Sequence, residues 1–195
     1  PDELNEFTEN FRMTACISIL RWVVEAFEEK GAYWLISDDG RVPMSCIQFA
    51  TSRCKDFIDC CLHNDIDIEG DIKIWEHDWD VFLTHHYLLT HENAKFQMQE
   101  DAFASLEAYV DTAKRMIEKM KLLWPQYGLD GTLNIWIIKP GNKCRGRGII
   151  LMNNIKQIIS IVNPPVSATK TRYVVQKYIG EIFLSKFIYV FLNLI

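Results

Sequence analysis

The chain has 195 residues, 49% of them hydrophobic, and a formal net charge of -5, a globular composition with ample apolar content for a folded core. That charge hides a division: residues 1 to 111 hold 8 Lys+Arg against 23 Asp+Glu, a balance of -15, and residues 112 to 195 hold 13 against 3, a balance of +10. The two halves are therefore expected to face different partners, or each other.

Six cysteines (Cys16, Cys46, Cys54, Cys60, Cys61, Cys144) come with no amino-terminal signal-peptide pattern, so a reducing compartment, the cytosol by default, is expected rather than a disulfide framework. The group Cys54, Cys60, Cys61 and His63 invites a metal reading, but it lacks a Cys-x-x-Cys pair. Cys54 and Cys61 share one helical face with apolar neighbours, and free cysteine behaves as a small hydrophobe, so helix packing is favoured.

In chain order, residues 10 to 30 predict a helix with Phe11, Ala15, Ile19, Val23 and Phe27 on one stripe and Gly31 ending it. "AYWLISDDGR" (32 to 41) reads as a short strand and turn. A second helix is predicted from Pro43 to about Leu62, with Ile47, Cys54, Phe57, Ile58 and Cys61 inward. A third is predicted near Trp75 to Leu89, and the longest near Gln97 to Trp124, with Phe103, Leu106, Val110, Ala113, Ile117 and Met120 recurring at helical spacing. The outer face of that last helix carries Asp111 and Arg115 four residues apart, and Pro125 and Gly128 stop it. His85, His86 and His91 have no partner spacing that makes a catalytic signature and read as surface or packing histidines.

From Leu133 the period changes. "LNIWII", "GIILM" and "RYVVQKYI" are β-rich runs, and "NNIKQIISIV" is a short amphipathic helix, so one antiparallel sheet with a helix on one face is predicted. The fold class is α+β, with any domain boundary near Gln126 to Gly131.

Between the first two of these strands lies "KPGNKCRGRG", which holds four basic side chains and three glycines in its span from Lys139 to Gly148. Glycine lets backbone N–H groups approach closely and arginine grips oxyanions with two donors, so such a loop suits a polyphosphate. It matches neither of the two common glycine-rich nucleotide motifs, and a solvated basic hairpin tip is the alternative.

Taken together, "NIWIIKPGNKCRGRGI" and "VVQKYI" resemble the tubulin–tyrosine ligase-like family, most closely the branch that adds glycine to tubulin. The resemblance is strongest over residues 131 to 179 and extends more loosely from "NDIDIEGD" at residue 64 towards the amino-terminal helices. It implies an ATP-grasp fold holding ATP between two sheets. It gives Lys139 the ATP phosphates, Arg145, Gly146, Arg147 and Gly148 a flexible cover over the triphosphate, and Gln176, Lys177, Tyr178 and Ile179 the adenine hinge. Lys139 as a strand-end solubilising charge, and Tyr178 and Ile179 as sheet core, remain the structural alternatives. It further implies that ATP activates a glutamate side chain as an acyl phosphate for attack by the amine of glycine, with Mg2+ neutralising the polyphosphate.

The organisation implied is a mostly helical region 1-126, a partial ATP-grasp domain 127-179 and a divergent apolar tail 180-195. After Ile179 the family continues with a Lys-Phe-Asp-x-Arg-x-Trp type of segment, whereas here Ile188 follows Lys186-Phe187 and no arginine follows Arg172. The ribose-binding aspartate, substrate-side arginine and metal carboxylates expected of the family are thus not found. The expectation is a fragment with little or no activity, its tail being either unrelated sequence, which the abrupt end of the match favours, or a family strand-helix altered by divergence. Ile182 to Ile195 is apolar but shorter than the roughly 20 residues that span a bilayer. Tubulin and its acidic tails, microtubules and glycine are the implied partners, in the cytoplasm and cytoskeleton, with cilium or axoneme by resemblance. The competing function is a non-catalytic isoform that binds tubulin or nucleotide. A nucleic-acid role is disfavoured because the Arg-Gly element occurs once and without interleaved aromatic residues.

Overall fold

In the computed structural model, residues 2–62, 74–143, 145–164 and 171–179 are described; they form a mixed helical and sheet structure that divides into two compact units, Arg12–Gly128 and Pro1–Phe11 with Leu129–Ile195. Helix α1 (Asp2–Lys30) is the longest element, in place of the segment after Gln97. It ends where Gly31, at φ 79°, takes a conformation that glycine alone adopts without strain, its N–H bonding Phe27 O at 2.9 Å.

In the helical unit, every residue from Thr14 to Leu20 is buried, so α1 runs through the core rather than lying on it. Of the polar side chains this traps, Ser18 is satisfied: its Oγ donates to Ala15 O at 3.0 Å and meets His86 Nε2 at 2.5 Å. Of the predicted stripe, Phe11, Ala15, Ile19 and Val23 are buried and Phe27 is half-buried, but Cys16, Ile17 and Leu20 are buried too, which a one-stripe reading does not anticipate.

After Gly31 the structure departs from the expected strand. Ala32–Leu35 forms one helical turn (α2), which sends Leu35 into the core and leaves Tyr33 exposed against Phe103. Only Ile36–Ser37 (β1) is extended, and it pairs in parallel with Phe96–Gln97 (β2). Gln97 is consequently in a strand, and α5 (Ala102–Leu123) starts later than its periodicity suggests, after Asp101 at φ 55°. Helix α3 (Ser45–Leu62) buries Ile47, Cys54 and Ile58 and packs along α5, with Phe57 edge-on to Trp124 at 5.3 Å. Helix α4 (Glu76–Glu92) completes the core with Trp79, Phe82 and Leu89. Arg115 bonds Thr112 at 3.2 Å instead of the expected Asp111, and Lys114 reaches Glu28 at 2.8 Å. Cys54 is fully buried, Cys61 half-buried and Cys60 exposed; His63 lies outside the described residues.

In the second unit, β3 (Trp136–Pro140) is flanked by β4 (Ile150–Met152) and β5 (Tyr173–Lys177), both antiparallel to it, as expected. Helix α6 (Ile155–Val162) follows β4. Asn154 caps it by accepting from Gln157 N at 3.1 Å, and Ile155 and Ile158 are its buried residues. Trp136 packs edge-on to Phe7 at 5.1 Å and stacks on Phe11 at 6.0 Å, which ties the first turns of α1 to the sheet. Helical periodicity runs unbroken across Phe11, so sequence alone carries no sign of that division.

Two stability predictions follow from the helical unit. Burial pushes the Cys46 and Cys54 thiols up to about 12 from an ordinary 9.0. Between those values the unfolded chain releases protons that the native state keeps, so stability present below pH 9 is lost on the way to pH 12, by about 1.4 kcal/mol per pH unit for each thiol. Urea titrations from pH 8.5 to 10.5 are expected to show this slope, and Cys46→Ala with Cys54→Ala to flatten it. At Gly40 an added Cβ would sit 2.1 Å from Phe96 O, a backbone atom fixed in the β1–β2 pairing. Gly40→Ala is expected to destabilise by about 2–3 kcal/mol, read as a lower denaturation midpoint, because the connection must shift to relieve the overlap.

Candidate functional site

Successive residues of β3 point to opposite faces of its sheet, and the register extends this sorting to the neighbouring strands. Trp136, Ile138 and Pro140 lie opposite Lys177, Val175 and Tyr173 of β5, and this face is buried along β3. Ile137 and Lys139 lie on the other face with Gln176 and Val174 of β5 and Leu151 of β4. Here apolar side chains remain open: Leu151 is 57% and Val174 52% exposed.

On this open face Lys139 Nζ donates to Gln176 Oε1 at 2.5 Å, across a separation of 37 residues. Two side chains singled out for different parts of a nucleotide therefore meet directly. An exposed apolar floor with an ammonium and an amide at its margin suits a flat ring carrying an anionic group.

The basic loop leaves β3 at Pro140. Gly141 N–H donates to Arg172 O at 2.7 Å, which ties the start of the loop to the residue preceding β5. Arg145 (φ 56°), Gly146 (φ 70°) and Gly148 (φ 76°) all take left-handed backbone, and for Arg145 this is an uncommon conformation. Gly148 is constrained twice, since a Cβ there would also lie 3.2 Å from Lys143 Cδ and Nζ and 3.3 Å from Pro140 Cγ. Arg145, Gly146, Arg147 and Gly148 are exposed, so the loop presents its cations to solvent.

Of the four expected hinge residues, Gln176 is on the open face and Ile179 is 46% exposed. Tyr178 is half-buried and continues the ladder beyond β5 through its N–H to Ile135 O at 2.9 Å. The Lys177 side chain turns to the opposite face, where Nζ lies 2.5 Å from Asp130 Oδ1 and 5.2 Å from the centre of the Trp136 ring. Burial lowers the Lys177 pKa, and the Asp130 carboxylate opposes that shift. From this position Lys177 has its backbone, not its ammonium, to offer a ligand on the open face.

Asp130 lies outside every motif, and Asn134, although it opens the run NIWIIKPGNKCRGRGI, had no role assigned there. Asn134, at φ 48°, accepts from Trp136 Nε1 at 2.8 Å and donates through Nδ2 to Phe11 O at 3.1 Å. Asp130 did leave a signal: it is one of only 3 carboxylates in residues 112 to 195. A lone acid just ahead of a strand in a basic segment is a candidate for a buried pair.

Among the described residues no cluster of three or more His, Cys, Asp or Glu has the geometry to hold a metal ion, and no helix is long and apolar enough to cross a membrane. His86 is buried against Ser18, and His91 stacks on Tyr87 at 4.8 Å.

Residues 64–184, more than half of the chain, match the model of the tubulin-tyrosine ligase family. Tubulin glycylase 3A of Drosophila melanogaster is 49% identical over 190 residues, which is 96% of this chain and 19% of that protein. Tubulin monoglycylase TTLL3 of Danio rerio is 35% identical over 91% of the chain and 25% of its own length, and protein monoglycylase TTLL8 of Mus musculus 31% over 91% and 23%. The chain thus spans about a fifth to a quarter of the length of these relatives. The family match runs through the sheet, the basic loop and β5, where the open face is built, and the chain belongs to the tubulin-tyrosine ligase family.

Proposed function

We propose that this chain supplies one wall of the ATP site of a ligase that joins glycine to glutamate side chains of tubulin. The observation carrying this is the meeting of Lys139 and Gln176 over an exposed apolar sheet face. The relatives' names, tubulin glycylase and tubulin monoglycylase, support the reaction class.

In this reading the wall belongs to an ATP-grasp fold, and adenine lies on Ile137, Leu151 and Val174. Its edge faces Gln176 and the backbone from Lys177 to Ile179, and Lys139 takes a phosphate. The existing bond from Lys139 to the Gln176 amide is then a resting arrangement. A phosphate oxyanion is the stronger acceptor for an ammonium, so ligand binding draws Lys139 away and frees the Gln176 amide for the base. Arg145 and Arg147 close over the polyphosphate, with Gly146 and Gly148 giving the backbone the left-handed turns this needs. When bound, ATP supplies the phosphoryl group that makes a carboxylate reactive towards an amine.

A magnesium ion fits this wall poorly: it prefers several oxygen ligands, and among the described residues no three His, Cys, Asp or Glu side chains come together to hold one. No step through the metal is therefore assigned to these residues. A second reading, a non-catalytic module binding acidic tubulin tails, is favoured by the +10 balance of residues 112 to 195. Either reading places the protein in the cytoplasm on microtubules, including those of cilia.

Lys139→Ala is expected to weaken ATP binding by about 1.5–3 kcal/mol, the worth of a charge-assisted contact, and Lys143→Ala by less. Calorimetric titration decides this, and equal losses would reduce the loop to a diffuse basic patch. The purified 195-residue chain spans 19% and 25% of the length of two relatives. Incubated with tubulin, glycine, ATP and magnesium, it is expected to add no glycine detectable by mass spectrometry, because one wall of a site leaves the electrostatic donors of the opposite wall unsupplied and each such donor is worth on the order of 10²–10³ in rate. Glycylation at the rate of a full-length relative would overturn that expectation. Co-sedimentation with microtubules, lost when the acidic tails are removed, is the outcome expected of the binding module.

A further inference from the structure

Directly behind the open face lies a polar group that the nucleotide reading leaves unused. Lys177 follows Gln176 in β5, and its ammonium is paired with Asp130, the two side chains being 10% and 1% exposed. The pair sits over the Trp136 ring, whose indole N–H bonds Asn134, which in turn bonds the Phe11 carbonyl. Among the described residues β5 has β3 as its one strand neighbour, so β5 lies at the edge of the sheet that these residues form.

An edge strand can slip along its neighbour. A slip of one residue is forbidden by alternation, because it would drive Val174 and Gln176 to the buried face. A slip of two residues preserves alternation, and backbone pairing alone does not prevent it. It would, however, pull Lys177 from Asp130 and leave two buried charges uncompensated, a loss of the kind that costs several kcal/mol. In the observed register Lys139 lies opposite Val174 and Ile137 opposite Gln176, so Lys139 and Gln176 meet on a diagonal, and a slip of two residues would either bring them directly opposite or carry them apart.

We infer that Asp130 and Lys177 are positioning residues: their buried ion pair locks the register of β5 and so sets affinity for the adenine base without touching the nucleotide. This rests on the ATP-wall reading. It assigns Lys177 an anchoring duty where its place in the hinge motif suggests ligand contact, and it brings in Asp130, which lies outside every motif.

The test compares the 195-residue chain with its Asp130→Asn, Asp130→Glu and Asp130→Asn/Lys177→Met variants. Each is titrated calorimetrically with ATP and with inorganic tripolyphosphate, and each is melted. Removing both charges is expected to restore much of the melting temperature lost in Asp130→Asn, since a buried pair is replaceable by neutral side chains of similar volume. ATP affinity in the double variant is nevertheless expected to stay about tenfold below that of the parent chain, or roughly 1.4 kcal/mol, while tripolyphosphate affinity holds within about twofold, because Lys139 and the loop are untouched. Asp130→Glu, which keeps the charge, is expected to retain ATP affinity within about threefold, a smaller loss than in Asp130→Asn.

A double variant that recovers both melting and ATP affinity would reduce the pair to a stability element and overturn the inference. Equal loss of both ligands, or an Asp130→Glu chain as impaired as Asp130→Asn, would also overturn it. A parent chain that binds no ATP would instead sink the nucleotide reading itself, and that result is visible before any variant is made.

Discussion

The open face depends on the two-residue alternation along β3. Trp136 and Ile138, 5% and 0% exposed, anchor one side of the strand, and the residues between them are thereby committed to the other side. Lys139 is on the open face because Ile138 is not. Inverting the pattern would place an ammonium on the side where Trp136 meets Phe7 and Phe11, and the desolvation of that charge would far outweigh any gain from covering Ile137. The open face is thus held in place by the apolar residues of the opposite side.

What the sequence made legible follows from the range of each interaction. The β-rich runs, their antiparallel pairing and the helix between them are recoverable from period and composition, since each run carries its own signal. Lys139 and Gln176 were individually marked by the motifs they sit in, but the bond between them depends on strand register, which no local pattern states. Lys177 shows the limit of motif transfer: its place in the hinge run says nothing about which face its side chain takes, and the alternation from Gln176 turns it away. Asp130 and Asn134 escaped because buried polar networks are assembled from residues distant in sequence and unremarkable by type. Asn134 reaches Phe11 O across 123 positions.

The helical unit was misread in places where tertiary packing overrides local preference. Ala32–Leu35 has strand-like composition, yet one helical turn buries Leu35 at 0% exposure while the chain redirects through Gly31. Gln97 looked like the start of a long helix, but in the structure it pairs, with Phe96, against β1. Helix α1 shows the same principle from the other side. A sequence with Thr14 and Ser18 among its apolar residues resembles an amphipathic surface helix, but Ser18 satisfies its hydroxyl with Ala15 O and His86, and the stretch from Thr14 to Leu20 is buried on every side.

The two lysines of the sheet show how position sets what the same side chain can do. Lys177 is held by a carboxylate that is itself 1% exposed, and exchanging that partner for any ligand would strand Asp130 as a buried charge. Lys139 is held by a neutral amide at an exposed rim, a bond that water or an oxyanion can replace with little loss. A group that must bind and release a polyphosphate needs the second kind of partner, and a group that must fix a strand needs the first. Their placement on opposite faces follows from the register alone: Trp136 is paired with Lys177, and Lys139 lies three positions on from Trp136, on the other side of the pleat. Selection for an exchangeable cation above the sheet and a fixed one below it can therefore act on the identity of the side chains without altering the backbone that carries both.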